Sequence, residues 1–159
     1  MALPIKLFEN LKGNPLANKT ADNSWLFILS TKGTLNITIN GTEMERSNCL
    51  LILKPGMGAE TLKLSEDFKG AMLTMPEEIV IKGEYPVGVE FIESSSRYPF
   101  LSMAGTQGRA ASRIIKNYFA LIKDCLKNGS NDEASDMEGT HLCKAFLKYC
   151  EYLYTKLAI

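Results

Sequence analysis

Histidine and cysteine, which most often act as bases, nucleophiles and metal ligands, are scarce in this 159-residue chain, and their spacing does not favour catalysis. There is one histidine, His141, and the four cysteines Cys49, Cys125, Cys143 and Cys150 include no C-x-x-C pair. A 2-His-1-carboxylate iron site needs a second histidine, and a tetrahedral zinc site would need cysteine or carboxylate partners for His141. The sequence therefore predicts no metal, no cofactor and no catalytic residues.

A metal-free enzyme would still need an acid and a base close together. Glu77 and Glu78 are neighbours in the chain, and they fit a solvated turn better than an acid/base pair because adjacent strand residues point to opposite faces. The couple that is left is Glu60 with Lys32 or Lys69. It would suit a small isomerase or epimerase, which we keep as an alternative function.

Ligand binding is the other use of charged side chains near strand ends. Trp25 and Phe27 offer flat apolar surfaces, and Lys32, Glu60 and Lys69 offer charges. A small barrel can hold one small molecule in a pocket that is mostly apolar with a few polar groups. The competing interpretation is that Trp25 and Phe27 belong to the core and that the charged groups are solvated.

The composition limits the class of protein. Lys and Arg total 18 and Asp and Glu total 18, so no net charge would draw the chain onto nucleic acid. Apolar residues make up 45% and charged residues 23%, which suits one globular domain. No segment resembles a signal peptide, and no apolar run could cross a bilayer. We therefore expect a cytoplasmic domain with no membrane partner and no DNA contact of its own.

Between about residues 5 and 92, apolar residues recur at close to every second position, which predicts short strands. Residues 34–40 alternate apolar and polar side chains, and Asn40-Gly41 suits a two-residue hairpin turn. Many short strands between turn residues predict a β-sandwich or barrel. The predicted strands are Ser24–Thr31, Thr34–Asn40, Thr42–Glu45, Cys49–Leu53, Glu60–Leu64, Phe68–Met75 and Gly88–Ile92.

Between about residues 107 and 157 the apolar period changes to 3.6, which predicts two amphipathic helices. Asn128-Gly129 ends the first helix, and Ser135-Asp136-Met137-Glu138 matches a capping box for the second. Two such helices joined by a polar loop form an antiparallel hairpin. Their apolar stripes are wider than packing on one neighbour requires, so we expect surface left over for the sheet and for a second subunit.

The order of these elements resembles the N-terminal regulatory domain of AraC-type transcription regulators. The resemblance rests on the strand before Gly33, the Asn40-Gly41 hairpin, the segments "CLLILKPGMGAE" and "SEDFKGAMLTM", and the two long helices after them. It implies a mainly β, α+β chain with an arm at 1–20, a cupin-like jelly-roll barrel at 21–105 and a dimerising helical hairpin at 106–159. It also implies that a C-terminal helix-turn-helix domain follows in the full-length protein.

The resemblance also assigns positions in a pocket. Lys32 lies where the family has a sugar-contacting arginine, and Glu60 and Leu62 lie near its histidine and tyrosine positions. Lys69 matches a pocket histidine, and Ala71 stands where the family has an aromatic ring that stacks on sugar. Lys32 thus keeps a cation at the arginine position, whereas Ala71 lacks the stacking ring. The loss of the ring argues against an arabinose-like sugar as the effector.

We therefore expect a domain that binds a small-molecule effector, forms a homodimer through its helices and controls DNA binding by a domain outside this chain. The alternative is a metal-free cupin that acts alone as a small-molecule-binding module, or a small isomerase or epimerase. The predicted ligand-binding residues are Trp25, Phe27, Lys32, Glu60, Leu62 and Lys69. The predicted dimer-interface residues are Ile114, Tyr118, Leu121, Ile122, Cys125, Phe146, Cys150 and Leu153.

Overall fold

A computed structural model gives the structure of the chain and describes residues 5–18, 23–128 and 133–157. Antiparallel sheets are built mainly from the first half of the chain, and two long helices end it. This order confirms the predicted α+β fold with C-terminal helices. A 3₁₀ turn at Pro15–Asn18 lies between the first two strands.

The strands of the described residues form two sheets, in which every neighbouring pair is antiparallel. The five-stranded sheet has the order β1 (Lys6–Glu9), β7 (Lys69–Pro76), β2 (Ser24–Lys32), β5 (Cys49–Leu53) and β8 (Phe100–Ser102). The three-stranded sheet has the order β4 (Thr42–Ser47), β3 (Thr34–Ile39) and β6 (Ala59–Leu64). The two-sheet arrangement does not by itself confirm the predicted cupin-like jelly roll.

The central strand β2 is buried on both of its faces. Leu26 and Ile28 belong to an apolar cluster between the two sheets, together with Leu35 and Ile37 of β3. Alternate residues of β2 belong to a second cluster, which the five-stranded sheet forms with the helices. The unbroken apolar run of β2 therefore reflects a middle layer, covered by a sheet on one side and by helices on the other.

Two tight connections position the strands of the smaller sheet. Asn40 and Gly41 have φ values of 50° and 80°, as the predicted two-residue hairpin between β3 and β4 requires. Gly33 alone separates β2 from β3, with a φ of 78°, where the chain passes from one sheet to the other. The edge strand β4 is exposed at all of its positions except Met44.

Four helices complete the described structure. They are α1 (Glu77–Ile81), α2 (Val89–Arg97), α3 (Gly105–Asn128) and α4 (Glu133–Lys156). The helices α3 and α4 run antiparallel, because Tyr118 packs on Phe146 while Cys125 lies beside Glu138. None of the helices described is both long and apolar enough to span a membrane.

Several sequence predictions were wrong in detail. Gly88–Ile92 is not a strand: it enters α2, where Phe91 and Ser95 are buried four residues apart on one helical face. Ser135 is not an N-cap, because α4 begins at Glu133 and includes Ser135 in its first turn. The pattern also missed β1, β8 and α1, which are too short to show a period.

Replacing Gly33 with alanine should destabilise the chain more than the same change at Gly56. Both glycines have a left-handed φ, near 80°, which costs an alanine about 1–2 kcal/mol. At Gly33 the new Cβ would also lie 2.8 Å from the Cα of Phe68, whereas at Gly56 it meets nothing within 4 Å. Crowding should add about 1–3 kcal/mol at Gly33. Urea unfolding measures both variants, and equal losses would contradict the crowding.

Candidate ligand-binding and interaction surfaces

The two aromatic residues predicted to bind ligand lie beneath the helices. Trp25 is stacked between Phe27 and Phe91, with ring centroids 6.2 Å apart on each side. The ring of Phe27 meets the edge of Phe146 at 5.2 Å. Both side chains are buried in the cluster between the five-stranded sheet and the helices. Within the described residues, the indole Nε1 has no hydrogen-bond partner.

The other four predicted ligand-binding residues lie elsewhere. Leu62 is buried between the two sheets, and Lys32, Glu60 and Lys69 are exposed. Lys32 and Lys69 face each other across β2 and β7, whereas Glu60 belongs to the three-stranded sheet. The six residues therefore do not line one shared cavity, and their role in ligand binding stays a prediction.

A concave surface lies between α1, the loop after it, and α4. We call it the α1–α4 groove; its volume is about 740 Å³. Its lining comprises Glu78, Ile79, Lys82, Gly83, Glu84 and Tyr85 on one side and Thr140, His141, Lys144, Ala145 and Lys148 on the other. The sequence did not single it out, because α1 was missed and the lysines look like ordinary solvated residues. The spacing of His141, Lys144 and Lys148 on one helical face was the available signal.

Two lysines of α4 hold the loop that forms the other wall of the groove. Lys144 Nζ donates a hydrogen bond of 2.7 Å to the carbonyl oxygen of Lys82. Lys148 Nζ donates one of 2.9 Å to the carbonyl oxygen of Pro86 and forms an ion pair of 2.9 Å with Glu151. Burial lowers the pKa of Lys144, and the neighbouring charge of Lys148 lowers it further.

The predicted dimer-interface residues divide into two groups. Ile122, Phe146, Cys150 and Leu153 are buried within the chain and contribute to the core. Ile114 and Leu121 are 40% and 51% exposed, and Tyr118 and Cys125 are half-buried. The apolar stripes are therefore wide because each helix packs on the sheet with one part of its surface and leaves another part uncovered.

The uncovered part of α3 has the spacing of a helix–helix contact. Ile114, Tyr118, Leu121 and Cys125 follow one another at intervals of four, three and four residues, and we call them the α3 seam. This is the repeat with which helices pack along a shared line. The ring of Tyr149 in α4 lies 6.1 Å from that of Tyr118 and extends the aromatic part of this surface.

The cysteines are free thiols with little reactivity. Burial raises the pKa of Cys49 and of Cys143 to about 12, and it raises the pKa of Cys150 as well. Cys125 is half-buried, and its pKa is raised by burial and then by the charge of Glu138. In the described part of the chain, no three His, Cys, Asp or Glu side chains group as metal ligands would.

Cys125 should be the one cysteine that iodoacetamide modifies in the folded chain at neutral pH. The other three thiols are buried and remain protonated, so iodoacetamide can neither reach them nor react with a thiolate there. Even Cys125 should react more slowly than free cysteine, because its raised pKa reduces the thiolate fraction. Mass spectrometry after digestion identifies the labelled site, and denaturant should expose all four. Rapid labelling of Cys143 or Cys150 would contradict the packing.

No protein-family model matches the chain, and no curated protein matches it in sequence. Among solved structures, the AraC-like transcriptional activator CuxR is 13% identical with a TM-score of 0.49, and the match covers 91% of this chain and 49% of that one. An apo variant of ToxT from Vibrio cholerae is 12% identical with a TM-score of 0.47, covering 100% and 55%. The chain thus spans about half the length of these structural neighbours, which are AraC-like regulators.

Proposed function

We propose that the chain is the effector-sensing and dimerisation domain of an AraC-type transcription regulator. In this proposal a helix-turn-helix domain outside the present sequence binds DNA, and this domain controls it. The observation that carries the proposal is the α3 seam, a line of exposed and half-buried apolar side chains beside the residues Ile115, Phe119 and Ile122 that α3 contributes to the core. The homodimer, the effector and the boundaries at residues 20 and 105 are parts of the proposal.

The chemistry of the seam supports a second copy of the chain as its partner. Large apolar residues that are exposed together favour association, whereas single ones are ordinary on any surface. Tyrosines concentrate at protein interfaces because each combines a large apolar ring with a hydroxyl group. Here Tyr118 and Tyr149 adjoin Ile114 and Leu121. A twofold axis beside α3 would place each seam against its own copy.

The helix α4 gives this domain a way to connect a ligand to the dimer. His141 and Lys148 line the α1–α4 groove, Phe146 and Cys150 are in the core, and Tyr149 adjoins the seam. A ligand that binds one position of α4 better than another shifts the population of the two positions. Coupling of this kind is typically worth about 1–3 kcal/mol between two sites.

The acid/base couple of the alternative enzyme has little support. Glu60 is solvent-exposed and lies in the three-stranded sheet, whereas Lys32 and Lys69 lie at the end of the five-stranded one. An exposed carboxylate is also not desolvated in the way that tunes a general acid or base. A stand-alone binding module would share the dimer seam and differ in having no DNA-binding domain to control.

Replacing Leu121 with glutamate should convert the dimer into a monomer without unfolding it. The side chain is 51% exposed, so the monomer tolerates a charge that a packed seam cannot accommodate. Sedimentation velocity at micromolar concentration measures the change, and circular dichroism checks the fold. Arg113→Glu is the matched control, because it introduces the same side chain beside Ile114 on the polar side of α3 and changes the charge more. A wild-type chain that is already monomeric contradicts the proposal.

Leu153→Glu should behave differently and unfold the chain. Leu153 is 3% exposed in the cluster shared by the sheet and the helices, so a glutamate there would be a buried, unpaired charge. Thermal unfolding should show a loss of cooperative structure at every protein concentration. A folded monomeric Leu153→Glu variant would place this residue in the seam instead of the core.

A further inference from the structure

The α1–α4 groove contains a buried lysine without an acidic partner. The Lys144 side chain is 9% exposed, so nearly all of its aliphatic part is covered. Within the described residues its ammonium group donates to the carbonyl oxygen of Lys82, and the charge of Lys148 acts on it from the next turn of α4. The Lys144 ammonium group, which pairs with no carboxylate among the described residues, makes a local positive potential in the groove.

Lys148 already has an acidic partner and Lys82 is exposed to solvent, so Lys144 is the buried cation of the groove that pairs with no carboxylate among the described residues. The carboxylate of Glu151 lies 2.9 Å from Lys148 Nζ, three residues along the same helix. Lys144 has three N–H donors, of which the Lys82 carbonyl accepts one. The remaining donors can bind an anionic oxygen, and a carboxylate would replace the missing negative partner.

The lining of the groove also includes apolar surface. Ile79 and Ala145 contribute aliphatic groups, and Tyr85 contributes a ring. Tyr85 is 71% exposed and has a φ of 55°, which is uncommon for an aromatic residue. An exposed ring in an uncommon backbone conformation, on the lining of a cavity, favours Tyr85 as a ligand contact.

The acidic residues on the rim restrict the charge of the ligand. Glu78 and Glu84 line the same groove and are exposed to solvent. The first negative charge of a ligand can pair with the Lys144 ammonium group, whereas a second one would have these carboxylates as neighbours in the groove and gain less. A bare phosphate would also leave the apolar walls unused. These features together favour one negative charge on an apolar body.

From this arrangement we infer that the α1–α4 groove binds an aromatic monocarboxylate, with its carboxylate on Lys144 and its ring along Ile79 and Tyr85. The volume of about 740 Å³ accommodates a ligand of one or two fused rings in an open site. The inference deepens the proposed function, since it names the effector class and the site from which α4 would respond. It places the effector outside the space between the two sheets, which is filled by apolar side chains.

Naphthoate and its neutral analogue naphthalenemethanol test this inference by calorimetric titration of the 159-residue chain. Naphthoate should bind more tightly than the alcohol, because only the carboxylate can accept from the ammonium group. Lys144→Met keeps the length and apolar stem of the side chain, and it should weaken naphthoate binding by about tenfold or more. The same variant should lose less affinity for the alcohol than for naphthoate, because the alcohol makes no ion pair with Lys144. Lys127→Met, on exposed α3 surface, should change neither affinity.

Four outcomes would overturn the inference. These are no naphthoate binding by the wild type, equal binding by Lys144→Met, inorganic phosphate binding more tightly than naphthoate, and a dimer affinity altered by Lys144→Met without ligand. The last would make the groove a contact between subunits. Sedimentation of the same samples separates this inference from the proposed function. If the chain dimerises through Leu121 but does not bind naphthoate, the dimer proposal stands and only the assignment of the groove as the effector site is wrong.

Discussion

The structure depends on the burial of β2 and β5 from both sides at once. One face of these strands packs against the three-stranded sheet, and the other packs against the helices. Burial of apolar surface is worth about 25 cal/mol per Å², so strands covered on two faces contribute roughly twice what a half-exposed strand does. This arrangement determines how the rest of the chain packs. The space between the sheets is occupied by side chains, and the helices are held against the sheet by their most apolar faces.

The same constraint explains which sequence predictions succeeded. Alternation in residues 34–40 and the Asn40-Gly41 turn correctly predicted β3 and its hairpin, because a strand with one wet face shows its period directly. The apolar run around Trp25 predicted a covered strand as well. It could not reveal which layer each face meets, so it left open whether Trp25 and Phe27 line a pocket or belong to the core; both lie under the helices. The alternation of residues between the two faces of a strand can be predicted from the sequence. Which layer covers each face is set by contacts distant in sequence.

The helices show a similar limit. A period of 3.6 gave both helices with nearly their true extents, because a long amphipathic pattern is averaged over many turns. It did not separate Ile122, which is in the core, from Leu121, which is exposed. The groove could not be found in this way, since one wall comes from α1 and its loop, where five helical residues carry no usable period. A site between elements distant in sequence requires the tertiary arrangement.

The polar edge strand β4 has a consequence for association through the sheet. An unpaired sheet edge is a template for uncontrolled strand addition and aggregation, and exposed charged side chains discourage it. Glu43, Glu45 and Arg46 provide such protection along β4. Association is thereby made costly at this end of the sandwich and left permissible at the helical end. At this edge the charged side chains therefore discourage the strand addition by which fibres grow.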